Sequence, residues 1–235
     1  MTITGETRLV ALLGHPVAAS LSPRMQNAAF AARGLDWGYV ACDVEPERFE
    51  AAVRGLAALG FRGANVTIPH KHAAARLCDE ADGEAVNTLV FREGRMLGFN
   101  TDVEIVRGIE ATRVCLIGAG GAAAALLPGL PGEVRTFSRR GEWPPDADGA
   151  DLIVNATPVR DELLVEPRPE QAVVDLAYGP EETALVRAAR AAGCRVVVDG
   201  REALVRQGAA SFERWTGAPA PVDVMRTALG FPPGC

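Results

Sequence analysis

The sequence predicts an α/β fold built on parallel strands, and three observations carry that reading. Short apolar runs alternate along the chain with segments whose apolar residues recur at helical spacing, which is the rhythm of βαβ units. One run, Arg113 to Ile117, passes straight into Gly118-Ala119-Gly120-Gly121-Ala122 and then into alanines. Polar side chains that are poor strand formers gather where several of the runs end.

The composition suits such a fold. A chain of 235 residues can bury a sizeable core as one large domain or two small ones. Hydrophobic residues make up 48% and charged residues 23%, the balance of an ordinary globular chain. No apolar run is long enough to span a bilayer, and Met1 to Glu6 lacks the basic-then-apolar pattern of a secretory signal. The net charge of −6 argues against a nucleic-acid partner. Cys42, Cys78, Cys115, Cys194 and Cys235 are odd in number, scattered and without metal-ligand spacing. They read as free thiols in a reducing, cytoplasmic setting.

Taken in order, Arg8 to Gly14 is a first buried strand. Ser22 before Pro23 is a helix-start signature, a hydroxyl cap followed by proline. Met25, Ala28, Ala29 and Ala32 form the packed face, and Gly34 ends the helix. Ser20 lies two residues before Ser22, and two hydroxyls at one helix start can hold a carboxylate. Trp37 to Val44 is the second strand. Pro46 opens a helix with Phe49, Val53, Leu56 and Leu59 on one face, stopped at Gly60.

The next strand carries Asn65 and Thr67 at alternate positions, so both point to one face. Pro69 interrupts it. Lys71 lies in the turn beyond, past the strand's carboxyl end, where open α/β sheets bind ligands. His70 and His72 read as loop or solvent residues. Val86 to Phe91 and Arg95 to Phe99 form a hairpin about Glu93-Gly94. Asn87-Thr88 and Asn100-Thr101 touch its strands, and Asp102 is placed to cap a helix over 103–111.

At the glycine turn, Gly118 and Gly120 permit backbone angles closed to other residues, so a diphosphate can approach the helix start. Ala123 stands where a third glycine is usual. The following strand, Val134 to Phe137, ends in Ser138-Arg139-Arg140. An acidic residue there would hold the ribose 2′-hydroxyl of NAD. Two arginines suit a 2′-phosphate, which favours NADP. Asp151 to Asn155 runs into Ala156-Thr157-Pro158, and Ala172 to Leu176 into Tyr178-Gly179-Pro180. Pro180 opens a helix with Leu185, Val186 and Ala189 on one face and a stop at Gly193. A last strand, Arg195 to Val198, leads through Gly200 into a helix over 201–215 carrying Leu204, Gly208, Ser211 and Trp215 on one side, and Gln207. A final helix starts at Pro221 and ends at Gly230.

SLSP at Ser20–Pro23, NVTIPHK at Asn65–Lys71, AVNT at Ala85–Thr88, NTD at Asn100–Asp102, GAGGA at Gly118–Ala122, NATP at Asn155–Pro158 and LVRQGA at Leu204–Ala209 occur in this order along nearly the whole chain. In that set and order the sequence resembles the shikimate dehydrogenases. The resemblance implies an N-terminal α/β substrate-binding and catalytic domain over 1–103 and a Rossmann-like NADP-binding domain over 104–204. C-terminal helices over 205–235 would return to the first domain. It implies reversible, NADPH-dependent reduction of 3-dehydroshikimate to shikimate by a monomer or homodimer. It assigns Ser20 and Ser22 to the substrate carboxylate. Asn65, Thr67, Asn87, Tyr178 and Gln207 also belong to the substrate, and Lys71 with Asp102 forms the catalytic pair. Gly118, Ala119, Gly120, Gly121, Ala122, Ser138, Arg139, Arg140, Thr157 and Gly200 fall to the cofactor. A quinate or other polyhydroxy-acid oxidoreductase, and a binding module without hydride transfer, are the competing readings.

Against the family pattern the chain is trimmed between Lys71 and Asn87 and from Asp102 to the glycine turn, and the largest loss lies in the cofactor half. Residues 141–150 leave no room for the usual helix and strand, so the sheet is expected to be one αβ unit short. Ser138-Arg139-Arg140 replaces Asn-Arg-Thr, Arg160 replaces a glycine, Ala203 a methionine and Val103 a glycine.

Overall fold

A computed structural model describes residues 3–232 and divides the chain into two compact units. The first runs to Thr101 and resumes at Val205; the second runs from Asp102 to Leu204.

The first unit is a six-stranded mixed sheet with helices. Its elements are β1 (Arg8–Gly14), α1 (Ser22–Ala32), β2 (Trp37–Asp43), α2 (Phe49–Ala58), β3 (Gly63–Val66), α3 (Lys71–Leu77), β4 (Glu80–Ala81), β5 (Thr88–Arg92) and β6 (Arg95–Phe99). The sheet order is β2-β1-β3-β5-β6-β4, with β2, β1 and β3 parallel and β5 antiparallel to both neighbours. Val10, Ala11, Leu12 and Leu13 are all at most 4% exposed, as a central parallel strand covered on both faces requires. Burying each such leucine is worth about 2 kcal/mol. Glu93 and Gly94 both take positive φ at the β5–β6 turn, the geometry that a two-residue hairpin loop demands.

The second unit holds a five-stranded, all-parallel sheet. It comprises β7 (Arg113–Ile117), α4 (Gly121–Leu126), β8 (Glu133–Phe137), β9 (Leu152–Asn155), β10 (Ala172–Asp175), α5 (Ala184–Ala192) and β11 (Val196–Val198), in the order β11-β10-β9-β7-β8. The connections β8–β9 and β9–β10 contain no helix. Ala147, Val165, Leu163 and Leu164 from those loops cover one face of the sheet together with Leu185 and Ala189 of α5. Ile105, Val106, Ile109, Leu126 and Ala203 cover the other. The shortened 141–150 stretch therefore replaces a helix with a loop while the sheet face stays buried. A long helix, α6 (Gly200–Thr216), crosses the unit boundary, and α7 (Val222–Ala228) contacts α1 within the first unit.

Several local expectations are corrected. Ser22 lies inside α1 rather than capping it; Leu21 holds the cap position, and the Ser22 N–H meets Ser20 Oγ at 3.3 Å. Ala32 is exposed, and the buried face uses Gln26 and Phe30 as well as Met25 and Ala29. Leu59 is exposed beyond the end of α2, and Pro46–Arg48 form a short 3-10 turn before it. Lys71 opens α3 instead of sitting in a turn. Asp102 caps no helix over 103–111: Thr101–Ile105 is a 3-10 turn, and Gly108 at φ +77° breaks the segment. Helix α5 starts four residues after Pro180, where the Thr183 hydroxyl accepts the Val186 N–H at 3.2 Å. Cys42, Cys78, Cys115 and Cys194 are unpaired, and Cys235 lies outside the described residues. Burial pushes the Cys115 thiol up to about 12. Burial, with Asp79 and Asp82 adding to it, pushes the Cys78 thiol up to about 11, so neither is poised as a thiolate.

Candidate active site

In the first unit, the carboxyl ends of β1 and β3 bring three sequence segments together. Thr67 N–H donates to Leu13 O at 2.9 Å and His15 N–H to Ile68 O at 3.0 Å. A Cβ at Gly14 would press into the Thr67 side chain and lie 2.9 Å from Val17. Glycine there lets the Thr67 loop approach the loop that carries Ser20 and Ser22.

His70 is buried, not solvent-facing. Its ring stacks on Phe49 at 4.3 Å between centroids, and Nε2 lies 2.7 Å from Val44 O. A carbonyl only accepts, so that nitrogen carries the proton. His70 precedes the first residue of α3, and its anchoring fixes where the half-buried Lys71 begins. The Lys71 carbonyl accepts the Val86 N–H at 3.1 Å, one residue before Asn87. His72 is exposed, with Nδ1 2.9 Å from Glu84 O.

Asn65, Asn87 and Gln207, which the resemblance assigns to the substrate, are joined by a polar network that is buried at the two asparagines and half-buried at Gln207. Asn65 Oδ1 accepts from Tyr39 Oη at 2.8 Å, and its Nδ2 donates to Asn87 O at 3.0 Å. Asn87 Oδ1 accepts the Thr101 N–H at 2.8 Å, and its Nδ2 faces Gln207 Oε1 at 3.4 Å. Thr88, Thr101 and Ser211 complete the network at 0% exposure. Sequence reasoning gave these three hydroxyls no role. The available signal was the pair of Asn-Thr steps flanking one hairpin, and Ser211 one helical turn after Gln207.

In the second unit, the glycine turn follows β7 directly. Gly118 has φ +120°, and a Cβ on it would lie 3.1 Å from the Ala156 backbone and 3.3 Å from Thr157 Cγ2. Gly118 and Thr157 are thus neighbours. Cβ atoms at Gly120 and Gly121 would meet nothing within 4 Å, so the turn presents an open, side-chain-free surface that fits a diphosphate. Thr157 is locked by Asn155 Oδ1, which accepts its N–H at 3.0 Å and its hydroxyl at 2.6 Å. Asn155 Nδ2 donates to Asp175 Oδ1 at 2.9 Å, and the Thr183 hydroxyl donates to Asp175 Oδ2 at 2.5 Å. Burial raises the Asp175 carboxyl above the ordinary range, while those donors pull it back down.

Ser138, Arg139 and Arg140 form a tight loop after β8, closed by Gly141 N–H to Ser138 O at 2.9 Å. Both arginines are exposed. The Arg139 guanidinium lies 5.6 Å from the Trp143 ring centre and 3.7 Å from the Glu162 carboxylate. Tyr178 and Gly200 line one pocket of about 270 Å³ with Gly179, Thr183, Asp199 and Arg201. Arg160 turns its guanidinium onto Gly179 and donates from Nη2 to Glu181 O at 3.1 Å. Asp102 is buried at 8% exposure.

Comparison with known proteins follows the same lines. Residues 12–89 match the family model described as the shikimate dehydrogenase substrate binding domain, and residues 200–229 the shikimate 5′-dehydrogenase C-terminal domain. The chain is 43% identical to the shikimate dehydrogenase (NADP(+)) of Anaeromyxobacter sp. (strain K), with 97% of each chain covered. It is 44% identical to that of Rubrobacter xylanophilus, again with 97% of each covered. A crystal structure of shikimate dehydrogenase in complex with NADP+ superposes with a TM-score of 0.86 at 33% identity, covering 97% of this chain and 96% of that one. The Thermus thermophilus shikimate 5-dehydrogenase in complex with NADP(H) and shikimate gives 0.84 at 33%, covering 94% and 98%.

Proposed function

This chain belongs to the shikimate dehydrogenase family, and from that premise we propose how its residues divide the reaction. The activity is that of an NADP-dependent shikimate dehydrogenase, an oxidoreductase of the shikimate pathway acting on a CH–OH group. The observation that supports the substrate assignment is the Asn65–Asn87–Gln207 network, which gathers three amides at one place in the first unit.

Ser20 and Ser22, at the start of α1, bind the substrate carboxylate. Asn65 and Asn87, with Thr67, Gln207 and Tyr178, hold the ring hydroxyls and exclude water. The cofactor contacts are Gly118–Ala122 for the diphosphate, Ser138, Arg139 and Arg140 for the 2′-phosphate, and Thr157 and Gly200 toward the nicotinamide end. The chemistry supplied by NADPH when bound is a hydride for the ketone of 3-dehydroshikimate. The Lys71 ammonium gives its proton to the oxygen left negative by that addition, and takes it back in the reverse direction. Asp102 is assigned with it as the second member of the catalytic pair.

Among the described residues no helix is long and apolar enough to cross a membrane. A cytoplasmic setting accords with the four unpaired cysteines among the described residues. The oligomeric state proposed is a monomer or a homodimer.

The test is spectrophotometric. Purified protein is given shikimate or quinate with NADP or NAD, and the reduced cofactor is followed by absorbance. Turnover of shikimate with NADP is expected. Turnover of quinate alone, or heat stabilisation by shikimate without any turnover, would replace this reading.

A further inference from the structure

We infer that Thr88 and Ser211 are positioning residues that brace the Asn65 and Asn87 amides in one frame, so that Asn87, its oxygen turned inward by the Thr101 N–H, meets the substrate as a hydrogen-bond donor. The inference rests on the substrate assignment above and adds two residues that assignment leaves out.

The argument is a count of protons. A backbone N–H only donates and a backbone carbonyl only accepts. Thr101 N–H lies 2.8 Å from Asn87 Oδ1, so the Asn87 amide oxygen points inward. Asn87 O lies 3.0 Å from Asn65 Nδ2, so the Asn65 amino group points toward it. The second Asn65 N–H then reaches Thr88 Oγ1 at 3.1 Å and Ser211 Oγ at 3.0 Å. Ser211 donates its own proton to the Gln207 carbonyl at 3.1 Å, which leaves its oxygen as an acceptor. Thr88 Oγ1 lies 2.8 Å from that oxygen and 3.1 Å from Asn87 Oδ1, and its single proton is shared between these two acceptors. The Thr101 hydroxyl adds a further donor to Asn87 Oδ1 at 3.0 Å.

These inward contacts of the Asn87 side chain all fall on its oxygen. Its other edge is Nδ2, turned to Gln207 Oε1. A ligand oxygen offering a lone pair at that edge is accepted; a group offering only a proton is refused. Thr88 and Ser211 touch no substrate in this scheme. They act by tying Asn65 and Asn87 into one frame, buried from water, where an unmade hydrogen bond is costly.

Two isosteric changes test this. Thr88→Val keeps the side-chain shape and removes the hydroxyl, while Thr88→Ser keeps the hydroxyl and removes a methyl. KM for shikimate, KM for NADP and kcat are measured beside the thermal midpoint. Thr88→Val should raise KM for shikimate about tenfold, the scale of one lost hydrogen bond, with KM for NADP within about twofold. Thr88→Ser should keep KM for shikimate within about twofold even if its thermal midpoint falls. Ser211→Ala should follow Thr88→Val and supplies the measurement if the valine variant does not fold. The inference is overturned if the serine variant is as impaired as the valine variant, if both KM values rise together, or if neither Thr88→Val nor Ser211→Ala changes KM for shikimate. A wild-type protein that does not turn over shikimate would overturn the underlying assignment, and this inference with it.

Discussion

Asp151 Oδ2 accepts both groups of Thr112, the hydroxyl at 2.5 Å and the backbone N–H at 2.9 Å. It also accepts the Arg113 N–H at 2.9 Å, so one carboxylate ties the entry of β7 to the entry of β9. These donors, led by the Thr112 hydroxyl, hold the Asp151 carboxyl down to about 2 against an ordinary 3.8. A depressed folded-state value means that the stabilisation is complete above the unfolded value and is lost as pH falls through the folded one. Asp151→Ala should therefore lower the thermal midpoint at neutral pH. Its deficit against the wild type should hold down to about pH 4 and shrink as pH falls toward about 2. A deficit independent of pH across that window would show that the side chain acts through packing alone.

The proton-transfer role proposed for Lys71 separates binding from chemistry. Lys71→Ala should lower kcat by roughly 10² to 10⁴, the range for losing a general acid. Shikimate binding, read by calorimetry, should persist, because the amides and serines proposed to hold the substrate remain. Near-normal turnover would end the assignment.

Most of the strands could be read from the sequence because the signal was local. Arg8–Gly14 and Arg113–Ile117 are apolar runs that stop at glycine, and the folded strands have those limits. The segment after Asp102 misled for a physical reason. Ile105, Val106 and Ile109 are spaced for a helix face, and they do pack into the core of the second unit, but Gly108 in the left-handed region divides the segment. Apolar spacing reported burial there and not regular structure. The helix start assigned to Pro180 failed because Thr183, with its hydroxyl also bound to Asp175, is the better cap. The Thr88–Ser211 contact was beyond sequence reasoning, since it joins β5 to α6 across 123 positions through tertiary packing. His70 was misread because polarity suggested solvent, whereas its ring is stacked on Phe49 and its N–H is bound by a backbone carbonyl.

Cofactor choice should follow the β8 loop. Arg139 and Arg140 are exposed after the strand end proposed to meet the 2′-phosphate, and Arg139 lies over Trp143. Replacing both by alanine should raise KM for NADP about tenfold or more, the scale of losing charge-assisted bonds, and leave KM for NAD nearly unchanged. The ratio of kcat/KM for NADP over NAD measures this directly. Equal losses with both cofactors would place the 2′-phosphate elsewhere.

Arg160 and Gly179 make a mutually dependent pair. The guanidinium lies where a side chain on residue 179 would stand, and its Nη2 binds Glu181 O, so the strap carrying Tyr178 is held from below. Arg160 Nε is buried without a hydrogen-bond partner among the described residues, which shows how closely the side chain is packed. Gly179→Ala should displace this guanidinium, the far end of a flexible side chain, at a cost of about 0.5–1.5 kcal/mol, the scale of its hydrogen bond to Glu181 O, and lower the thermal midpoint slightly. Arg160→Ala frees the space but releases the strap. In that background Gly179→Ala should cost far less, because the clash has gone. A double-mutant cycle on unfolding free energies reads the coupling; additive effects would mean that residue 179 is glycine for some other reason.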